Sequence, residues 1–131
     1  MKHSIWLIGL LTLMLYVSGC HFGSAALPIV STTPVPNTQL EIRLGGPNTK
    51  GNFGYCIRSA SGKRFSHYRT LGPLQPDQTT PVNLESMGNG VYRIQWGEAP
   101  ASVFAVIDFQ KAMFVEDSNT SNPRNEPFER Q

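Results

Sequence analysis

Few side chains in this 131-residue sequence are equipped for chemistry. There are two cysteines, Cys20 and Cys56, and three histidines, His3, His21 and His67. An ionised thiol can act as a nucleophile or hold a metal, and an imidazole can move protons near neutral pH. Either chemistry needs a second group beside the first, in a cleft. No spacing supplies one: H-E-x-x-H, C-x-x-C, G-x-S-x-G and glycine-rich phosphate loops are all missing from the sequence. The histidines, cysteines and acids do not cluster at metal-ligand spacing either. The expectation is a protein without catalytic residues, metal or cofactor. His67 alternates with Phe65 and Arg69 on one expected strand face and reads as structural. Asp108 interrupts the apolar run SVFAVIDF near its end; it reads as a solvent-facing or turn-capping residue, and otherwise as a polar contact at an interface.

Cys20 has a different context. It closes the segment MKHSIWLIGLLTLMLYVSGC. Lys2 gives a positive start, and Ile5 to Tyr16 form an apolar run that is short of the roughly 20 residues a membrane-spanning helix needs. Val17, Ser18 and Gly19 then lead into Cys20, an order that resembles the bacterial lipobox. The resemblance implies acylation of the Cys20 sulfur, cleavage before it with Val17, Ser18 and Gly19 as the peptidase recognition residues, and acylation of the new amino group. Several acyl chains make a stable anchor where a single chain is marginal. His21 stands where an inner-membrane retention signal would place Asp, so the sorting rule of such lipoproteins implies the periplasmic side of the outer membrane. With Cys20 carrying lipid, Cys56 has no partner in the chain and is expected to be buried and inert. Arg58, two residues on, would share its strand face.

The elements that would position these groups are short. Residues 21–38 (HFGSAALPIVSTTPVPNT) are small, polar and proline-punctuated, and predict an extended tether. QLEIRL (39–44) and VYRIQW (91–96) alternate apolar with polar residues, as half-buried strands do. FGYCIR (53–58) and KRFSHYRTL (63–71) read as a hairpin about Ser61-Gly62. TPVNL (80–84) is a short strand whose Pro81 suits an edge or a strand start. Asn89-Gly90 is a strong hairpin-turn signal. SVFAVIDF (102–109) is apolar enough for a central strand, and AMFV (112–115) predicts the last. The polar stretch 116–131 has too little apolar surface to offset its ordering entropy and predicts a mobile tail.

These readings give a cleaved signal peptide (1–19), a lipidated start and tether (20–38), a β domain (39–115) and a tail (116–131). The domain is all-β, a small antiparallel sandwich or open barrel of about seven strands. Its expected core is Leu40, Ile42, Leu44, Tyr55, Ile57, Phe65, Tyr92, Ile94, Trp96, Val103, Ala105, Ile107 and Phe109. The 12 glycines, 10 prolines and scattered short apolar runs exclude a helical bundle. Charged residues make up only 15% and the net charge is +2, which argues against a phosphate-tracking nucleic-acid binder. A basic cluster does run through Arg58, Lys63, Arg64, His67 and Arg69. It reads as a solvated hairpin, with contact to anionic headgroups or an acidic segment as the alternative.

Three stretches carry a resemblance to a family: Val35-Pro36-Asn37-Thr38-Gln39-Leu40-Glu41-Ile42-Arg43-Leu44, Pro81-Val82-Asn83-Leu84, and Val91-Tyr92-Arg93-Ile94-Gln95-Trp96. Together with the Cys20 motif they resemble the small lipoprotein pilotins of type III secretion secretins, of the YscW kind, over about residues 35–96. Nothing after Phe109 matches that pattern. The resemblance implies a non-enzymatic escort that binds a C-terminal segment of the secretin subunit and carries it to the outer membrane. A second class is also compatible with the strands: a calycin-like or lysozyme-inhibitor-like binding lipoprotein, for which Gly90 to Phe109 would supply two barrel strands. The anchor has a direct test. Cys20→Ala is expected to abolish incorporation of labelled palmitate, and continued labelling would refute acylation at this sulfur.

Overall fold

The computed structural model describes residues 27–128. Val17, Ser18, Gly19 and Cys20 lie outside the described residues. Among the described residues nine strands form: β1 (Ile29–Pro34), β2 (Leu40–Gly45), β3 (Gly54–Ser59), β4 (Arg69–Thr70), β5 (Val82–Gly88), β6 (Val91–Trp96), β7 (Val103–Asp108), β8 (Met113–Asp117) and β9 (Glu126–Pro127). They make two antiparallel sheets, each following chain order: β1-β2-β3-β4 and β5-β6-β7-β8-β9. Over the described residues the fold is therefore all-β, two sheets sharing one core.

Strand alternation decides which side chains enter that core, because successive residues of a strand face opposite ways. On β2, Ile42 and Leu44 are buried, opposite Ile57 and Tyr55 of β3. On β6, Ile94 and Trp96 are buried, opposite Ala105 and Val103 of β7. A large side chain thus meets a smaller one at both positions, which lets the layer fill without voids. The rings of Tyr55 and Trp96 approach to 5.0 Å between centroids and join the two sheets. From Tyr55 an aromatic chain continues through Phe114, Phe128 and Phe109 to Tyr92, with centroid spacings of 5.9, 4.9, 6.2 and 6.0 Å. Such pairs each contribute about 0.5–1.5 kcal/mol beyond their buried area.

The Asn89-Gly90 turn forms as its sequence requires. Asn89 and Gly90 have φ of 55° and 78°, and Gly88 pairs with Val91 across them. Two successive left-handed residues match the right-handed twist of the flanking strands. β7 occupies the middle of its sheet, flanked by β6 and β8. Asp108 ends it, and its Oδ1 accepts the N–H groups of Gln110 and Lys111 at 3.0 and 2.9 Å. The turn-capping reading of Asp108 is the one the geometry supports.

Three expectations need correction. Part of the expected tether is strand β1. Val30 packs on the core and Val35 is fully buried, with the Val35 N–H donating to the Leu40 carbonyl at 3.0 Å. The β-branched residues Ile29, Val30, Thr32 and Thr33 suit a pleated edge, and an edge tolerates Pro34, which has no N–H to give. Secondly, Lys63–Leu71 is not one strand: only Arg69–Thr70 pairs, with an isolated bridge from Arg58 to Arg64. Ser66 turns inward and its Oγ accepts the Ile57 N–H at 2.9 Å. That hydroxyl takes the place of a backbone partner and interrupts the ladder.

The third correction concerns residues 116–128, expected to be a mobile tail. Glu116 and Asp117 complete β8, Glu126 and Pro127 form β9, and Phe128 packs against the core. What holds this segment is polar. Arg69 Nη2 donates to Asp117 Oδ2 at 3.1 Å and to the Pro123 carbonyl at 2.8 Å, and Nη1 bonds Glu126. A composition argument counts only apolar surface and does not register this source of order. Removing one member of a buried ion pair costs about 3–5 kcal/mol, because its partner is left charged and unpaired. Asp117→Ala is expected to destabilise by that amount. Ending the chain after Asn122 should lower the melting temperature by on the order of 10 °C. Unchanged thermal melts for both variants would show that the segment does not hold the sheets together.

Candidate functional site

Arg69 comes from β4 and Asp117 from β8, on different sheets, and their side chains are 5% and 3% exposed. Arg69 Nε donates to the Tyr55 hydroxyl at 3.1 Å, and that hydroxyl donates to Asp117 Oδ2 at 2.9 Å. Asn122 Nδ2 adds a bond to the same carboxylate oxygen at 2.9 Å. The guanidinium lies over the Phe114 ring, 4.4 Å from its centroid. Four of the five N–H groups of an arginine are thus engaged within the protein. Burial works against the Arg69 charge, but Tyr55 and Asp117 outweigh it and the guanidinium holds its proton more tightly than usual. Burial, followed by the nearby Asp117 carboxylate, pushes the Tyr55 phenol far above its ordinary range, although Arg69 opposes the shift.

Over this cluster lies a shallow cleft of about 210 Å³, lined by His67, Arg69, Phe114, Asn122, Pro123 and Glu126 among others. It is the place where a ligand carboxylate would meet an arginine. Arg69 is committed to internal acceptors, however, so it stitches the sheets together and offers no open fork to an anion. His67 sits exposed on the rim. Among the described residues, no group of three or more His, Cys, Asp and Glu side chains could hold a metal ion, and no helix is long and apolar enough to cross a membrane.

The residues of the expected basic hairpin part company. Arg69 goes between the sheets and His67 to the cleft, while Arg58 and Arg64 remain on the Cys56 side of β3 with Arg43 of β2, and Lys63 lies over Phe65. Cys56 is fully buried and free of disulfide. It faces away from Tyr55 and Ile57, under Tyr68. Burial raises the thiol above its usual range despite a hydrogen bond from Tyr68 and the charges of Arg43 and Arg64. These two arginines, and not Arg58, are the cations that act on it. The Tyr68 phenol is pushed up to about 12 by burial and by Cys56. Such a thiol is poorly ionised and packs as a small apolar group.

Backbone is the remaining resource for binding. Four strands lie at sheet edges: β1, β4, β5 and β9. β4 and β9 have two residues each, and β1 carries Pro34 and an irregular register after Ile29. β5 has seven residues, VNLESMG, and its register with β6 is regular from Val82 to Ser86. Its only charge is Glu85, its exposed face includes Asn83 and Met87, and Met87 is 56% exposed. Short strands, proline and irregularity are the devices that blunt an edge, and β5 has the fewest of them. Val82 and Leu84 reach the core from this strand, so the edge is anchored. Sequence alone could not single it out, because which strand ends a sheet is a property of topology. Compared with known proteins, the chain matches no family, no curated protein and no solved structure.

The buried acids of sheet one and the cluster give a pH dependence with a definite sign. Tyr55, Cys56 and Tyr68 all hold their protons more tightly in the folded chain. Free thiols ionise near about pH 8.5 and free phenols near about pH 10. Above those values the unfolded chain sheds protons that the folded chain keeps, so stability is complete below this range and falls as pH rises toward about 12. The urea midpoint is expected to drop between pH 8 and pH 11, with a shallower slope for Tyr68→Phe. A flat profile for the native chain would count against burial of all three groups.

Proposed function

We propose that this chain is a lipid-anchored, non-enzymatic escort of the outer membrane that captures an extended segment of a partner along β5, in the manner of the pilotins it resembles. The observation that carries the reading is the free seven-residue edge of β5, anchored through Val82 and Leu84 and little blunted. A partner strand added there would satisfy backbone donors and acceptors that face outward, and alternate side chains would set specificity. The sheet would grow from five strands to six. The Cys20 motif supplies the transport half of the task. Tethering a partner to an acylated carrier raises its local concentration at one bilayer and keeps it there.

The partner on this reading is the C-terminal segment of a type III secretion secretin. The committed state of Arg69 favours a binding module over an acid–base enzyme, since the one buried guanidinium at a cleft has its bonds already made. Two measurements test the proposal. Deleting the gene is expected to leave the secretin out of the outer membrane. A photo-crosslinking residue at Asn83 or Glu85 is expected to capture the secretin's C-terminal segment, whereas one at Thr32 on β1 is not. Normal outer-membrane secretin multimers in the deletion strain would overturn the reading. Loss of lysozyme inhibition in that strain, with secretin location unchanged, would move the chain to the inhibitor class.

A further inference from the structure

Charge is unevenly divided between the sheets. Residues 27–76 contain six cations (Arg43, Lys50, Arg58, Lys63, Arg64 and Arg69) and the single carboxylate of Glu41. Residues 77–128 contain three cations and seven carboxylates. Arg69 is neutralised between the sheets by Asp117 and Glu126. The others are not so matched: among the described residues, neither Arg43, Arg58, Lys63 nor Arg64 forms a salt bridge within 4.0 Å that the structure records.

Their placement follows from register. On β2 and β3, Ile42, Leu44, Tyr55 and Ile57 enter the core, so Glu41, Arg43, Cys56 and Arg58 take the outer face. Arg43 pairs with Cys56, Glu41 with Arg58, and Arg58 bridges to Arg64. Arg43 and Arg64 act on the buried Cys56 thiol, Arg58 stands across from Arg64, and Arg43 and Arg58 each hold a buried Nε with no hydrogen-bond acceptor. Lys63 lies over the ring of Phe65, which packs on the core, and so does not belong to this face. Beside them Gly45 and Gly54 face each other, and the Tyr68 side chain covers both. The result is a broad, basic sheet face.

We propose that this outer face of the β1–β4 sheet rests on the phosphate-bearing headgroups of an anionic bilayer. The inference rests on the anchor in the reading above and adds an orientation to it. β1, the edge strand of this same sheet, begins nine residues after Cys20, a span of about 30 Å when fully extended. An acylated Cys20 would keep this sheet close to the membrane. The excess of carboxylates in the other half turns that half away, and β5 with it, so the partner-binding edge stays open to the periplasm. Cations spread over three strand segments of one sheet face suit a planar array of phosphates.

The test is partition of the full-length chain onto vesicles of neutral phosphatidylcholine, or of phosphatidylcholine with about 30 mol% phosphatidylglycerol. The N-terminal segment contributes alike to every variant, so the readout is the ratio of anionic to neutral partition. At low salt the native ratio is expected to be about tenfold or more, falling toward one near 0.5 M salt as screening sets in. The triple change Arg43→Gln, Arg58→Gln, Arg64→Gln should remove most of the preference, and Arg93→Gln with Arg124→Gln should leave it in place. Glu41→Gln, which strips the lone carboxylate from this face, should raise the ratio and so tests the idea independently of any folding defect in the triple variant. A native ratio of one, a triple variant that keeps the full ratio, or no rise in Glu41→Gln would overturn the proposal. Equally tight binding to polyglutamate would assign the face to an acidic protein and overturn it too. A normal secretin in the deletion strain would defeat the escort reading without touching this ratio, so the two failures are distinct.

Discussion

A single buried charge governs how this small fold closes. Arg69 lies between two sheets, in a place where an isolated guanidinium would be strongly disfavoured. It is stable there because Asp117, Glu126, the Pro123 carbonyl and the Tyr55 hydroxyl converge on it and the Phe114 ring lies beneath it. Arg69 belongs to the first sheet; the carboxylates and the ring belong to the second. The charge can be satisfied only when the sheets are stacked and the C-terminal segment has folded back. Ion pairs of this kind are a weak source of net stability, since desolvation offsets much of the attraction. Their effect is on arrangement: any packing that separates the sheets leaves an unpaired charge.

The same cluster explains what could and could not be read from the sequence. β2 and β6 were legible because Ile42 and Leu44, and Ile94 and Trp96, follow the two-residue period that one-sided burial imposes, and β7 because its run is apolar nearly throughout, as a central strand is. Asn89-Gly90 was legible because few residue pairs suit two successive left-handed positions. β1 was obscured by Pro34 and the flanking Pro28 and Pro36, and by Ser31, Thr32 and Thr33, which show no apolar alternation although the threonines carry β propensity. Residues 116–128 were misjudged for a deeper reason. Their order comes from contacts with Arg69, 48 residues before Asp117, and no local pattern encodes a partner at that distance. The position of Cys56 between Tyr55 and Ile57 foretold a strand residue. Which arginines surround it depended on pairing with β2, and so on topology.

Closure at one side of the sandwich has a consequence at the other. The polar cluster ties β4 to β8 and β9, at the ends of their sheets. The opposite ends are β1 and β5, and among the described residues neither has a strand beyond it. Sheets of four and five strands therefore each have one end held by charge and one end with open backbone. β1 is the poorer template, because it ends in Pro34 and its register shifts at its start, between Ile29 and Ser31, whereas the shift in β5 comes only after Ser86, beside its hairpin turn. β5 is the better one: it sends two side chains, Val82 and Leu84, toward the core, and among the described residues no strand pairs with its outer edge.

This division of labour lets a binding edge exist without weakening the fold. A strand that docks a partner should not need to unfold to do so, because local opening would add an ordering cost to every binding event. β5 meets that condition through its side chains, and the ion cluster meets it for the molecule by fixing the sheets far from the edge. The segregation of charge works in the same direction. With cations gathered on the outer face of the first sheet and carboxylates in the second half, a membrane-facing surface and a partner-facing edge can occupy different sheets. Neither then competes with the core, which Tyr55, Trp96 and Phe114 hold from within.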